Sequence, residues 1–165
     1  MRRGPVQPAS GVGGAIRVQN VIPHNIHFIW VGAATLPDWA RANIAQFREL
    51  NPDYDIRLHG EEVLLPQYQR LYSCDLLPAQ RSDLLRLSAL RRYGGWYWDV
   101  DFLPFRPLAD IERAFDLDGS RMWISRQAGN MNPRWTHGNS PLAAAPDWPG
   151  WELIDRILVG RQPPV

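Results

Sequence analysis

Lysine is absent from the sequence, because all 18 basic residues are arginine. This absence excludes catalysis through a lysine Schiff base. Cysteine occurs once, as Cys74, so an internal disulfide is excluded and a cysteine-based zinc site is not favoured. No apolar run approaches the ~20 residues that span a membrane. The start, rich in glycine and proline, lacks the apolar segment of a secretory signal. We therefore expect a cytoplasmic protein without a membrane span.

The chain also lacks an excess of charge of one sign. A formal net charge of +1 gives no excess of positive charge that would attract nucleic acid, so we expect no nucleic-acid partner. A length of 165 residues is enough for one domain with a core and too short for two. We expect a flexible arm over residues 1–20, one domain over 21–160 and a tail over 161–165.

Hydrophobic periodicity predicts strands that alternate with helices. The predicted strands cover residues 26–31, 54–59, 96–102 and 122–125. The predicted helices run from Pro37 to Asn51 and over residues 63–72, 79–93, 110–115 and 151–158. This alternation is typical of an α/β layer fold with a mainly parallel sheet.

Two aspartates follow a glycine helix stop and an aromatic strand. Side chains alternate along a strand, so we expect Tyr97, Asp99 and Asp101 to share one face. Carboxylates ~6–7 Å apart repel each other by roughly 3 kcal/mol, and a divalent cation would remove that repulsion. Oxygen ligands suit Mg²⁺ or Mn²⁺. The carboxyl end of a strand in an open α/β sheet is also where ligands bind.

These two carboxylates have three interpretations. As metal ligands, they would assist the departure of a nucleoside diphosphate, where a cation stabilises charge on the leaving oxygen. They could instead be an ordinary surface pair at a strand end. A glycosidase is disfavoured, because retaining hydrolases place carboxyl groups ~5–5.5 Å apart on opposite sides of the bond, whereas residues two apart on a strand project in parallel.

Three segments, at residues 22–32, 82–86 and 93–101, carry a family resemblance in their order along the chain. They read IPHNIHFIWVG, SDLLR and YGGWYWDVD. This set resembles the DXD-motif glycosyltransferases of family 32, which include yeast-type initiating mannosyltransferases and glucosylating domains of large clostridial toxins. The resemblance implies a GT-A, Rossmann-like fold and retaining transfer with Mn²⁺ or Mg²⁺. The implied donor is a UDP- or GDP-sugar, and the acceptor is a glycan, a lipid-linked molecule or a protein.

The resemblance also implies roles for single residues. Trp30 would stack on the base of the donor, and Asp83 would accept hydrogen bonds from the sugar. Arg86 would hold a sugar hydroxyl or balance the acidic site, Tyr97 would contact the sugar or nucleotide, and Asn139 would lie near the acceptor. From the residues alone, core packing of Trp30 and Tyr97 and a surface ion pair of Asp83 with Arg86 remain alternatives.

Arg86, Asp99 and Asp101 are thus the predicted catalytic residues, and the two aspartates are the predicted metal ligands. The resemblance implies a further segment after the last helix that supplies another ligand. The alternative function is a nucleotide-sugar-binding module of the same fold without turnover. A third is a structural protein whose tryptophans, such as Trp123 and Trp135, form an interface.

Overall fold

The computed structural model describes residues 21–126 and 137–160. The strands are β1 (Asn25–Ile29), β2 (Asp55–His59), β3 (Gly95–Tyr97), β4 (Trp123–Arg126) and β5 (His137–Ala144). The helices are α1 (Asp38–Leu50), α2 (Gln69–Tyr72), α3 (Pro78–Tyr93), α4 (Leu108–Phe115) and α5 (Trp151–Gly160). These elements confirm the predicted α/β class. The expected arm, the expected tail and Trp135 lie outside the described residues.

The five strands form one sheet in the order β2-β1-β3-β5-β4. Strand β1 pairs in parallel with both β2 and β3. Strand β5 pairs antiparallel with β3 and with β4. The sheet is therefore mixed, with the predicted parallel arrangement in its first three strands. The sequence analysis missed β5, whose residues join the centre of the sheet.

Helices cover the sheet and bury two apolar clusters. One cluster joins Leu85 and Leu90 of α3 with Trp151 of α5, all without exposed surface. The other joins Phe28 of β1 with Phe47 of α1, whose ring centroids are 5.1 Å apart. Burial of such side chains is the main stabilising contribution to folding. In the part of the chain that the structure describes, no helix is long and apolar enough to cross a membrane.

The predicted helix over residues 63–72 is broken up. Two 3₁₀ turns, Glu61–Val63 and Pro66–Tyr68, precede the short helix α2. Pro66 explains the break, because proline has no N–H for a helical hydrogen bond and disfavours a helical conformation of the preceding residue.

The predicted strand over residues 96–102 is too long, since β3 ends at Tyr97. Two glycines lie where α3 passes into β3, with φ angles of +62° at Gly94 and +107° at Gly95. Gly94 N–H donates to Leu90 O at 2.8 Å and so closes the last turn of α3. A Cβ on Gly95 would lie 2.5 Å from Asn25 O. The glycines therefore let β3 start close beside β1.

Candidate functional site

Arg86 contacts four of the predicted site residues at the carboxyl end of β3. They are Asp83, Tyr97, Asp99 and Asn139. The side chain is buried, with 5% of the residue exposed. Its Nη1 donates to Asn139 O at 2.6 Å. Its Nη2 lies 3.2 Å from Asp83 Oδ1 and 3.5 Å from Asp99 Oδ1. The guanidinium carbon lies 4.5 Å from the centre of the Tyr97 ring, within the range of a cation–π contact.

Further hydrogen bonds tie this cluster together. Asn139 Nδ2 donates to Asp83 Oδ1 at 3.1 Å, and the Tyr97 hydroxyl donates to Asp99 Oδ1. Burial raises the pKa of Asp83, although Arg86 opposes that rise. Burial also raises the pKa of Tyr97, with a smaller contribution from Asp99. Tyr97 therefore keeps its proton and remains a hydrogen-bond donor at neutral pH.

Asp99 and Asp101 lie on a turn and not on a strand, which corrects the predicted shared strand face. Phe102 N–H donates to Asp99 O at 3.2 Å, so the chain reverses directly after the first aspartate. Asp99 N–H donates to Ser140 Oγ of β5 at 2.8 Å. Asp101 is exposed. The turn leaves the second carboxylate facing solvent, while the first is tied to the Arg86 cluster.

Two amide side chains of α1 hold this turn from the other side. Asn43 Nδ2 donates to Val100 O at 3.0 Å, and Gln46 Nε2 donates to Pro104 O at 2.9 Å. The sequence analysis did not identify Asn43, Gln46 or Ser140. Asn43 and Gln46 are three apart on α1, each directly before a buried residue, Ile44 or Phe47. This spacing places both amides on one side of the helix and could have identified them. Ser140 carried no such signal, because the strand to which it belongs was not predicted.

Trp30 lies just past the carboxyl end of β1. Its backbone N–H donates to His59 O at 2.9 Å, and its indole N–H donates to Ala34 O at 2.7 Å. The side chain is half-buried. Within residues 21–126 and 137–160, no hydrogen bond or ring contact connects it to Arg86. The structure thus places Trp30 at the carboxyl end of the parallel strands but outside the Arg86 cluster.

The carboxylates fit a cation that is shared with a bound ligand. Among the described residues, no group of three or more histidine, cysteine, aspartate or glutamate side chains could hold a metal by itself. Asp99 and Asp101 provide two carboxylates on one short turn. Mg²⁺ is usually held by one or two carboxylates together with substrate phosphates and water, and Mn²⁺ accepts similar oxygen ligands. The donor set is therefore suited to a cation completed by a diphosphate.

Comparison with known families agrees with this geometry. Residues 37–118, about half of the chain, match the family described as "Glycosyltransferase sugar-binding region containing DXD motif". The matched span contains Asp83, Arg86, Asp99 and Asp101. The chain belongs to this glycosyltransferase family. The resemblance noted in the sequence is thereby confirmed.

The proteins that are similar to this chain include toxins. Toxin A of Clostridium novyi is 29% identical over 108 residues, which cover 61% of this chain and 5% of that protein. The solved PaToxG glycosyltransferase is 17% identical with a TM-score of 0.60, covering 89% of this chain and 68% of the solved chain. The UDP-bound glycosyltransferase domain of the YGT toxin is 14% identical with a TM-score of 0.59, covering 86% and 62%. These structures show that the fold is that of GT-A glycosyltransferase domains.

Proposed function

We propose that this chain forms one domain over residues 21–160 and transfers a sugar from a UDP- or GDP-sugar to an acceptor hydroxyl. The transfer depends on Mn²⁺ or Mg²⁺ and retains the configuration of the sugar. The observation that carries this proposal is the Arg86 cluster. A buried guanidinium holds Asp83, Asn139 and the first aspartate of the DXD motif within one hydrogen-bonded group. The UDP-bound YGT domain, which shares the fold, supports a nucleoside diphosphate as the ligand.

The charge balance of the site supports a divalent cation. Three carboxylates, of Asp83, Asp99 and Asp101, stand against the single guanidinium of Arg86, so negative charge is in excess when all three are ionised. A diphosphate adds further negative charge to the same place. Repulsion between such groups amounts to several kcal/mol at an effective dielectric of about 20. Asp99 and Asp101 would hold the cation, which would supply positive charge against the departing diphosphate.

The side chains of the cluster position the reacting sugar. Asp83 and Asn139 offer hydrogen-bond acceptors and a donor to its hydroxyls, and Arg86 fixes both. The acceptor oxygen forms its bond to the anomeric carbon on the face that the diphosphate leaves. The bond to the phosphate oxygen breaks with its electron pair, and the acceptor proton passes to the departing diphosphate. Trapping of a covalent glycosyl-enzyme would contradict this retaining path.

A binding module without turnover is the second candidate. It is favoured by the small number of carboxylates on the DXD turn, because the described residues supply two and a weakly held cation stabilises a leaving group poorly. Such a module would bind the nucleotide sugar at the same residues and release nothing.

Release of UDP or GDP from a panel of nucleotide sugars tests the proposal. We expect release with Mn²⁺ present, no release after chelation, and a loss of at least about 100-fold in Asp101→Asn, on the scale of removing a transition-state charge partner. Asp53→Asn is the matched control, because Asp53 is also exposed but lies before β2, at the opposite end of the parallel strands. Metal-dependent binding without release would support the binding module and contradict the transferase.

A further inference from the structure

A cavity lies beside Val31 and Gly32, the two residues that follow Trp30 past the end of β1. Its volume is about 260 Å³, and it is lined by Val31, Gly32, Glu61, Leu76, Pro78 and Arg81. A Cβ added to Gly32 would meet nothing within 4 Å, so the backbone there borders open space. Pockets for drug-sized ligands measure about 300–1,000 Å³. The cavity therefore suits a single planar ring system and is too small for a whole nucleotide sugar.

One lining residue of this cavity carries a polar atom without a partner. Arg81 Nε is buried without a hydrogen-bond partner among the described residues. The Arg81 guanidinium carbon lies 5.3 Å from the centre of the Tyr72 ring. Burial and the nearby Glu61 carboxylate raise the pKa of Tyr72 to about 12. Buried polar groups are nearly always hydrogen-bonded in folded proteins, so Arg81 Nε–H favours a ligand that brings a hydrogen-bond acceptor into the cavity.

We propose that Glu61 and Arg81 select the base of the donor nucleotide and favour guanine over uracil. This proposal rests on the proposed function, since it assigns the base to a cavity lined by the two residues that follow the predicted stacking residue Trp30. The solved relatives share the fold at 17% identity or less, so the choice of base depends on side chains of this chain.

The hydrogen-bonding edges of the bases decide between them. A carboxylate carries acceptors alone, and guanine presents two neighbouring donors, N1–H and the N2 amino group. Uracil presents one donor, N3–H, flanked by two carbonyl oxygens, so one of those oxygens would oppose the Glu61 carboxylate. An arginine donates to guanine O6 and N7 as a bidentate pair. Guanine can therefore bind Glu61 and Arg81 at the same time. It offers one more hydrogen bond to each of these residues than uracil does.

Isothermal titration with GDP and with UDP, each with Mn²⁺, tests the proposal. One bidentate base contact discriminates by about 5-fold to 150-fold, so we expect GDP to bind at least about tenfold more tightly than UDP. Glu61→Gln replaces one acceptor with a donor, and we expect the ratio to fall to near one. Glu61 is exposed, so this variant should fold normally. Glu49→Gln, at an exposed position on α1, is the matched control and should leave the ratio unchanged.

The outcomes separate this proposal from the proposed function. Equal binding of the two diphosphates, or a preference that Glu61→Gln leaves unchanged, would overturn base selection while leaving the transferase intact. A preference for UDP would likewise overturn it. Failure of both diphosphates to bind would overturn both proposals, and a GDP preference that Glu61→Gln abolishes would support both.

Discussion

Replacing Arg86 with methionine should destabilise the fold and abolish binding of the nucleotide sugar. The substitution keeps the volume of the side chain but removes the charge that faces Asp83 and Asp99, at 3.2 and 3.5 Å. Loss of one partner of a buried ion pair costs about 3–5 kcal/mol. Both carboxylates are partly exposed, so solvent screening lowers our expectation to about 2–3 kcal/mol. Urea denaturation measures the free energy of unfolding, and titration measures the affinity for GDP and UDP.

Two variants make this measurement specific. Arg41→Met is the matched control, because Arg41 also pairs with an aspartate three residues earlier, Asp38, but both side chains are largely exposed. An exposed pair contributes about 0–1 kcal/mol, so this control should change little. Arg86→Lys keeps the charge without the planar fork that serves several partners, and it should recover part of the stability. An Arg86→Met protein as stable as the Arg41→Met control would contradict the structural role of the cluster.

Stability should fall steeply on acidification because of a buried histidine pair. His27 has no exposed surface. Its Nε2 lies 2.9 Å from Gly94 O, which can only accept, so Nε2 carries the proton. Because burial keeps the His27 ring neutral at pH 7, its Nδ1 accepts from His59 Nε2, 2.9 Å away. Burial lowers the pKa of His27 from 6.5 to about 4 and also lowers the pKa of His59.

The sign of the pH dependence follows from these directions. Between pH 6.5 and about 4 the unfolded chain binds a proton at His27 and the folded chain does not. The stabilisation is therefore complete above pH 6.5 and is lost as the pH falls toward 4. The loss from His27 alone amounts to about 3 kcal/mol.

Urea denaturation between pH 7 and pH 4 measures this loss. His27→Gln can still donate to Gly94 O but cannot be protonated, so we expect a shallower dependence on pH. The slope is the informative quantity, because the substitution also changes the free energy of unfolding at neutral pH. His24→Gln, at an exposed position, is the control. Equal slopes for His27→Gln and the parent chain would contradict the assignment.

Much of the fold could be predicted because local signals and tertiary structure agree. Helix α3 begins at Pro78 and ends at Tyr93, directly before Gly94. Proline is common at the first position of a helix and glycine just past its last. The aromatic run after Gly95 predicted a strand through Phe102, but pairing stops earlier. Tyr97 is the last residue of β3 with a partner in β5, Leu142. High β-propensity without a neighbouring strand does not make a strand.

Strand β5 shows the limit of local signals. Its residues His137–Ala144 include glycine, asparagine, serine and proline, which are typical of turns. Their strand conformation comes from pairing with β3 and β4 on either side. The site depends on this strand, because Asn139 and Ser140 both lie on it. Asn139 was predicted from a family resemblance, whereas Ser140 became visible as a site residue from the hydrogen bond of Asp99 to its hydroxyl.

The affinity for GDP and UDP, measured with and without Mn²⁺, tests the central claim most directly. If a cation joins the diphosphate to Asp99 and Asp101, Mn²⁺ should tighten binding of the preferred nucleotide by about 5-fold to 150-fold, the usual range of coupling between two ligands. This gain should vanish in Asp101→Asn and persist in Asp53→Asn. An affinity that is the same with and without Mn²⁺, or a gain that survives Asp101→Asn, would contradict the account.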